Sequence, residues 1–166
     1  MREKNVFYEE SSHIPLLIRC PGDITQNTFV DGYVSLVDLF STILDYLNIK
    51  EHPSDGNSLR GLIEGTDLNH GKYVVTEWDY RRDISPNNMV VKDGWKLIIP
   101  YSKRSKVIDA LYNLTEDPHE MNNLLGNHRK RKKYQAQAEE LRGCLLAWLR
   151  KNKSRHFTVV EEREIV

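Results

Sequence analysis

The stretch NMVVKDGWKLII, residues 88–99, contains two apolar runs separated by Asp93-Gly94. An Asp-Gly pair readily supplies the positive φ angles that a two-residue hairpin turn requires. Each flanking run has the length and the β-branched composition of a strand. The stretch therefore predicts an antiparallel hairpin of two strands, 88–92 and 95–99.

Further elements extend outward from this hairpin along the chain. Residues 73–78 are rich in β-branched and aromatic side chains, which favours a third strand, and residues 110–114 are a candidate fourth. Residues 131–151 predict a helix, because apolar side chains recur on one face at helical spacing. These side chains are Tyr134, Ala138, Leu141, Leu145, Trp148 and Leu149. The second part of the chain is therefore predicted to be a small antiparallel sheet packed by a C-terminal helix.

The first part of the chain has a different pattern. Residues 14–19 read IPLLIR, an apolar run typical of a strand buried on both faces of a parallel sheet. A helix is predicted from about 36 to 47, with Ser35 and Asp38 as a capping box and an apolar face that packs against a sheet. One strand and one helix cannot make a doubly covered sheet. This part is therefore interpreted as the end of a larger α/β domain, so the fold class is α/β (an α+β fragment).

Composition excludes several classes of protein. The 166 residues carry 24 basic and 24 acidic side chains, and this neutral balance argues against nucleic acid as the main partner. No apolar run is long enough to predict a membrane span, and the opening MREKNVFYEE lacks the apolar segment of a secretory signal. The two cysteines, Cys20 and Cys144, exclude a disulfide scaffold and a cysteine-built zinc site.

Basic residues cluster at RKRKK, residues 129–133, and at RKNKSR, residues 150–155. Such a segment binds an anionic polymer in some proteins, and in others it is the solvated start of a helix. No complete catalytic motif accompanies it, and the six histidines show no metal-ligand spacing. Lys4 and His13 flank the first apolar run on its N-terminal side. A lysine there is either a point charge for an oxyanion or a solvated side chain.

The string KNVFYEESSHIPLLIRCPG, residues 4–22, resembles the C-terminal signature of type I (formylglycine-dependent) sulfatases of the alkaline-phosphatase-like superfamily. Four further blocks resemble that family in the same order. They are VSLVDLFSTILD (34–45), DGNSL (55–59), WKLI (95–98) and LYNLTEDPHEMNNL (111–124). Each block is short, and their shared order makes the resemblance specific.

The resemblance implies a sulfuric ester hydrolase in which hydrated formylglycine attacks sulfur and calcium neutralises the sulfate oxygens. This sequence has no Cys/Ser-x-Pro-x-Arg motif and no Asp-Asp metal pair. We therefore expect a C-terminal portion without metal ligands, which is inactive alone. Of the family's catalytic set only Lys4 has a counterpart, the lysine that contacts sulfate. His13 stands where the family often has arginine, and it either faces the substrate or packs at the mouth of the strand.

The resemblance also implies a division of the chain. Residues 1–70 correspond to the end of the catalytic α/β domain, and residues 71–166 correspond to the family's C-terminal subdomain. The polar and aromatic residues 77–82 either border a substrate cleft or are surface residues without a binding role. Asp117, Pro118 and Glu120 are interpreted as turn and capping residues. Asn113, where the family has Asp, suggests a polar contact that tolerates an amide.

The expected partner is a sulfate ester, possibly of a carbohydrate, bound only together with the N-terminal part. Family members are usually exported to the periplasm, the extracellular space or the lysosome. Two alternatives remain open. One is a non-enzymatic module that binds an anionic polymer through residues 129–155. The other is a fragment of a related phosphodiesterase or phosphonate hydrolase, which the upstream metal ligands would distinguish from a sulfatase.

Overall fold

A computed structural model describes residues 7–49, 53–67, 70–78, 87–100 and 109–165. The chain forms two compact units. One comprises the described residues up to Ile14 together with those from Val75 onward, and the other is Pro15–Val74. The predicted boundary near residue 70 concerns the domains of the family and stays a prediction.

The described elements agree with most of the predicted ones. In chain order they are α1 (Glu9–Ser12), α2 (Asp38–Tyr46), α3 (Arg60–Ile63), β1 (Val74–Trp78), β2 (Asn87–Lys92), β3 (Trp95–Pro100), β4 (Ala110–Asn113), α4 (Arg131–Lys151) and α5 (Phe157–Glu162). The four strands form one sheet in the order β1-β2-β3-β4. At the predicted hairpin Lys92 pairs with Trp95, and Asp93 and Gly94 adopt φ angles of 49° and 74°. The mixed fold with a small antiparallel sheet and a C-terminal helix is confirmed.

The helix α4 packs on β2 and β3. The core between these elements consists of fully buried aliphatic side chains: Val90, Leu97, Ile99, Leu141, Leu145 and Leu149. The helix α5, which the sequence did not predict, packs on α4 through buried Val160. The Arg142 guanidinium donates to the carbonyl oxygen of Val160 at 3.1 Å and fixes this contact.

The second face of the sheet has a different cover. Side chains alternate along a strand, so Lys96 points away from Leu97 and shares its face with its cross-strand partner Tyr112. Phe7 is buried, and the Tyr8 ring lies 6.3 Å from the Tyr112 ring. The segment around α1 therefore packs with the sheet face opposite Leu97.

The outer edge of β4 is occupied by backbone and amide groups. The Leu124 amide donates to the Leu111 carbonyl at 2.9 Å, and the Leu111 amide donates to Asn123 Oδ1 at 3.0 Å. Asn123 Nδ2 also donates to the Asp109 carbonyl at 3.0 Å. Asn123 and Leu124 thus form hydrogen bonds with backbone groups that an edge strand otherwise leaves unpaired.

In the unit Pro15–Val74, polar side chains join α2 to the loop before α3. Asp38 Oδ1 accepts from the Asn57 amide at 3.0 Å, and Thr42 Oγ1 accepts from the Leu59 amide at 2.9 Å. A Cβ on Gly56 would lie 2.1 Å from the Val37 carbonyl oxygen, so only glycine fits there. This contact explains why an Asp-Gly-x-Ser-Leu loop follows the helix.

The capping box of α2 is only half formed. The Ser35 amide donates to Asp38 Oδ2 at 2.9 Å, as a capping box requires. The helix begins at Asp38, however, with Val37 at the N-cap and no side-chain cap hydrogen bond. The prediction that the Ser35 side chain caps the helix is therefore wrong.

The predicted buried strand 14–19 is also wrong for this chain. No described residue from 15 to 73 belongs to a strand, and Leu17 is 95% exposed. The predicted packing of the apolar face of α2 against a sheet is not seen among the described residues either, because Ile43 and Leu47 are exposed. Both predictions assumed neighbouring strands of a parallel sheet, which the described part of this unit does not contain.

Candidate functional site

His13 lies directly after α1, and its side chain is 76% exposed. Its backbone amide donates to the Glu9 carbonyl at 2.9 Å, which places the imidazole one helical turn from the Glu9 side chain. His13 Nδ1 lies 2.9 Å from Glu9 Oε2. The exposed imidazole contradicts the alternative that His13 packs at the mouth of the strand. Its contact with the substrate stays a prediction.

Lys4 lies outside the described residues, so its predicted contact with sulfate stays a prediction. Residues 79–82 of the polar and aromatic cluster also lie outside them. Glu77, at the start of that cluster, accepts a hydrogen bond from Ser154 Oγ at 2.5 Å. Its carboxylate also lies 3.1 Å from His156 Nδ1. The Glu77 carboxylate therefore has a structural role, because it contacts Ser154 and His156.

A buried ionic cluster, which was not predicted from the sequence, lies beside α1. The Lys96 ammonium is fully buried, 2.6 Å from Glu9 Oε1 and 2.9 Å from Glu120 Oε1. It also donates to the Phe7 carbonyl at 2.8 Å. The one signal was a lysine between Trp95 and Leu97 in an otherwise apolar strand. A lysine in a strand is normally interpreted as solvent-facing.

Three segments that resemble sulfatase blocks therefore meet at one cation. Glu9 comes from YEES, Lys96 from WKLI and Glu120 from DPHE. The interpretation of Asp117 as a turn residue is confirmed, because its carboxylate accepts from the Met121 and Asn122 amides at 3.0 and 2.8 Å. The assignment of Glu120 to the turn alone is wrong, since its buried carboxylate belongs to this cluster.

Two further polar residues of the sheet have structural roles. Asn113 Oδ1 accepts from the Thr115 and Glu116 amides at 3.1 and 3.3 Å, a contact that an aspartate oxygen makes equally well. Burial raises the pKa of the Tyr112 phenol well above its usual range, so this side chain stays neutral. Neither residue is available for acid–base chemistry.

The buried imidazole of His156 lies between elements of the same unit. Its Nδ1 is 2.7 Å from Asn88 Oδ1 and 3.1 Å from Glu77 Oε1. Burial lowers the pKa of His156, and the nearby Glu77 carboxylate partly opposes this effect. The imidazole is enclosed, so it acts as a structural link between β2 and the start of α5.

The basic segment 129–133 precedes and begins α4. An open cavity of about 340 Å³ is lined by α4 residues, including Glu139 and Arg142, and by C-terminal residues, including Arg163. A second open cavity of about 450 Å³ is lined by Asn127, His128, Arg129, Lys130 and Tyr134. The second cavity therefore combines the cations Arg129 and Lys130 with the rings of His128 and Tyr134.

The resemblance implies a calcium ion that is held by acidic and amide side chains. Among the described residues, no group of three or more His, Cys, Asp or Glu side chains is placed to hold a metal ion. The residues that the structure describes therefore do not fit the family's calcium site. No helix in the described part of the chain has the length and hydropathy of a membrane span.

Two solved structures that resemble this chain superpose on it to different extents. A Bacteroides thetaiotaomicron protein assigned as a sulfatase superposes with a TM-score of 0.77 at 26% identity, over 94% of this chain and 33% of its own. A second structure, in complex with its substrate D-glucosamine-2-N,6-O-disulfate, superposes with a TM-score of 0.60 at 23% identity. This second match covers 76% of this chain and 25% of that one, and it shows the fold alone.

Curated relatives agree with the structural matches. Arylsulfatase K of Bos taurus is 32% identical over 130 residues, and that of Homo sapiens is 32% identical over 129. Each match covers 73% of this chain, and the chain spans 24% of the length of each of these relatives. The family pattern described as N-sulphoglucosamine sulphohydrolase, C-terminal, matches residues 1–146. The chain therefore belongs to the C-terminal family of sulfatases with an alkaline-phosphatase-like fold.

Proposed function

We propose that this chain is the C-terminal part of a sulfuric ester hydrolase that acts on sulfated carbohydrates, and that turnover needs the family's N-terminal catalytic part. The family match and the quarter of the relatives' length that the chain spans support this division of labour. The sulfated glucosamine bound by one structural relative supports the substrate class. The chain's own sequence has no formylglycine motif.

One observation carries the proposal, the exposed apolar set of the unit Pro15–Val74. This set comprises Leu16, Leu17, Ile18, Ile43 and Leu47. A continuous apolar run and an amphipathic helix are what the interior of a doubly covered parallel sheet requires. Soluble proteins rarely leave so much contiguous apolar sequence without a partner. The proposed partner is the sheet of the catalytic α/β domain.

Within the complete enzyme, the segment around α1 would contribute binding groups. Lys4 would place its ammonium against the sulfate oxygens, where a fixed cation stabilises negative charge that grows in the transition state. His13 would present its exposed imidazole to the same ester. Formylglycine, a modified residue of the N-terminal part, would supply the nucleophile, and calcium held by that part would neutralise the sulfate charge.

Complementation tests this proposal. The 166-residue chain is assayed with an aryl sulfate and calcium, first alone and then after co-expression with a sulfatase N-terminal part that carries mature formylglycine. We expect no turnover from the chain alone and calcium-dependent turnover from the pair. The double variant Ile43→Lys/Leu47→Lys should abolish both co-purification and turnover. Turnover by the chain alone would refute the proposal, and so would a stable pair that hydrolyses only phosphodiesters.

A second candidate function rests on the cavity beside residues 129–133. Its cations and the Tyr134 ring suit a sulfated polysaccharide as a non-enzymatic ligand. Ion-exchange binding of this kind weakens steeply as salt rises. Retention on immobilised heparin that persists in the chain alone, and that Arg129→Ser/Lys130→Ser removes, would favour this function. Retention unchanged by the double variant would exclude it.

A further inference from the structure

Glu9 has two carboxylate oxygens, and the structure uses them on two different partners. Oε1 lies 2.6 Å from the buried Lys96 ammonium, and Oε2 lies 2.9 Å from Nδ1 of the exposed His13 imidazole. One carboxylate therefore connects the interior of the fold to an accessible ring. The resemblance does not include Glu9 or Lys96 among the residues that it implies for catalysis.

The Lys96 end of this connection is held from several directions. Besides Glu9, the ammonium contacts Glu120 Oε1 at 2.9 Å, the Phe7 carbonyl at 2.8 Å and Ser12 Oγ at 3.4 Å. All of these partners except Glu120 lie in residues 7–12. The cluster therefore fastens the α1 segment to β3.

Glu120 supports Glu9 a second time. Its Oε2 accepts from the Glu9 amide at 2.6 Å, while its Oε1 faces Lys96. Glu120 adopts a φ of 52°, a conformation that is unfavourable for a side chain of this kind. Such backbone strain persists where surrounding contacts determine the position, and here those contacts are with Lys96 and Glu9.

An exposed ion pair usually contributes little, because two flexible side chains must be held in one geometry. At His13 one of the two partners is already immobilised, since Glu9 is fixed by a cation with no solvent exposure. Only the imidazole has to be ordered. A carboxylate on Nδ1 selects the tautomer with a proton on Nδ1 and directs Nε2 outward.

We propose that Lys96 and Glu120 form a buried clamp that fixes Glu9, and that Glu9 orients His13 so that its Nε2 is presented to the sulfate ester. Glu9, Lys96 and Glu120 are positioning residues, because they act through His13. The inference rests on the proposed sulfatase function for its substrate. Its structural half can be tested on the chain alone.

The first test measures the His13 tautomer by ¹⁵N NMR at a pH where the ring is neutral, and hydrogen exchange at the Ser11, Ser12 and His13 amides. Lys96→Met should remove the preference for a proton on Nδ1 and speed exchange at these amides more than tenfold. Exchange within β2 should stay unchanged. The matched control is Lys92→Met, which removes the exposed pair between Lys92 and Glu140 and should change neither measurement.

Glu9→Gln provides a second variant in case loss of the buried cation prevents folding. Glu9 is partly exposed, so this variant keeps the core intact while removing the carboxylate from His13. It should also abolish the tautomer preference. An unchanged tautomer in Glu9→Gln would overturn the clamp.

The second test uses the complemented enzyme. His13→Gln and Glu9→Gln should raise KM for the sulfate ester severalfold, and combining them should add little, because one residue acts through the other. Independent, additive effects would overturn the proposed coupling. Failure of complementation with an intact NMR signature would instead count against the sulfatase function, which keeps the two failures distinguishable.

Discussion

The two units of this chain bury their side chains in opposite ways. In the unit that contains the sheet, Leu97, Leu141 and Leu145 are fully buried between β3 and α4. In the unit Pro15–Val74, Leu59 is the one buried apolar side chain among the described residues, and the other buried groups are Asp38 and Thr42. The first unit is therefore specified by apolar packing, and the second by polar contacts between α2 and its following loop.

This difference shows that an amphipathic pattern predicts which face of a helix is buried. It does not predict which element packs against that face. The apolar stripes of α2 and α4 have similar spacing, yet the stripe of α4 packs on β2 and β3, whereas Ile43 and Leu47 of α2 are exposed. Asp38 and Thr42 accept hydrogen bonds from the amides of Asn57 and Leu59, which fix α2 to its following loop without using its apolar face. That face remains available to another part of a sulfatase, as proposed above.

The largest expected effect comes from a matched pair of leucine truncations. Leu145→Ala should lower the free energy of unfolding by about 3 kcal/mol, because it leaves a cavity in the core of the sheet unit. Leu17→Ala, at a residue that is 95% exposed, should change it by less than about 0.5 kcal/mol. Urea denaturation followed by circular dichroism measures both. Equal losses would contradict the contrast between the units.

A pair of glycine substitutions should give the next largest effect. Gly56→Ala should destabilise the unit Pro15–Val74 by roughly 2 kcal/mol, because its Cβ would collide with the Val37 carbonyl. Gly143→Ala, which meets nothing within 4 Å in α4, should stabilise by up to about 1 kcal/mol. Thermal unfolding and hydrogen exchange at the α2 amides report the two changes. A neutral Gly56→Ala would mean that the loop shifts freely away from α2.

A smaller effect is expected on acidification. The folded pKa of His156 lies below its ordinary value of 6.5, so the unfolded chain takes up this proton first. The contribution of His156 is therefore complete above about pH 6.5 and is lost as the pH falls towards the folded pKa. Urea midpoints at pH 7.5 and 5.5 measure this loss. His156→Gln should show a smaller difference between the two pH values than the parent chain, and an equal difference would contradict the assignment.

The smallest effect on stability should come from charges on the apolar face of α2. Ile43→Lys and Leu47→Lys should leave the free energy of unfolding within about 0.5 kcal/mol, because both side chains are already exposed. They should nevertheless reduce self-association of the chain in sedimentation velocity, since they interrupt an exposed apolar surface. Phe40, on the same face, offers a third position for the same test. A large loss of stability would mean that this face is packed in solution.

Local signals explain which elements were predicted well. The hairpin at Asp93-Gly94 and the helix Arg131–Lys151 follow from turn chemistry and from spacing within one segment, and both are confirmed. Residues 14–19 have a pattern whose meaning depends on neighbouring strands, and such partners are not encoded in the segment itself. The same reasoning applies to α5, which is short and gains its burial from α4.

The candidate site was predictable only in part. His13 stood out by its place in a signature string, and the resemblance drew attention to Lys4. The clamp was not predictable, because Lys96 and Glu120 are ordinary surface residue types, and they approach Glu9 from positions 87 and 111 residues away in the chain. Only the fold shows that these charges share one buried volume.

The contacts that Asn123 makes with β4 determine how the sheet is able to enlarge. The amide and the carbonyl of Leu111 are already hydrogen-bonded to Asn123 and Leu124 at that edge. An additional strand therefore cannot pair with Leu111 there. β1 is the other outermost strand of the four. Growth of the sheet, whether by a lineage-specific insertion or by a self-assembling variant, should therefore begin beside β1.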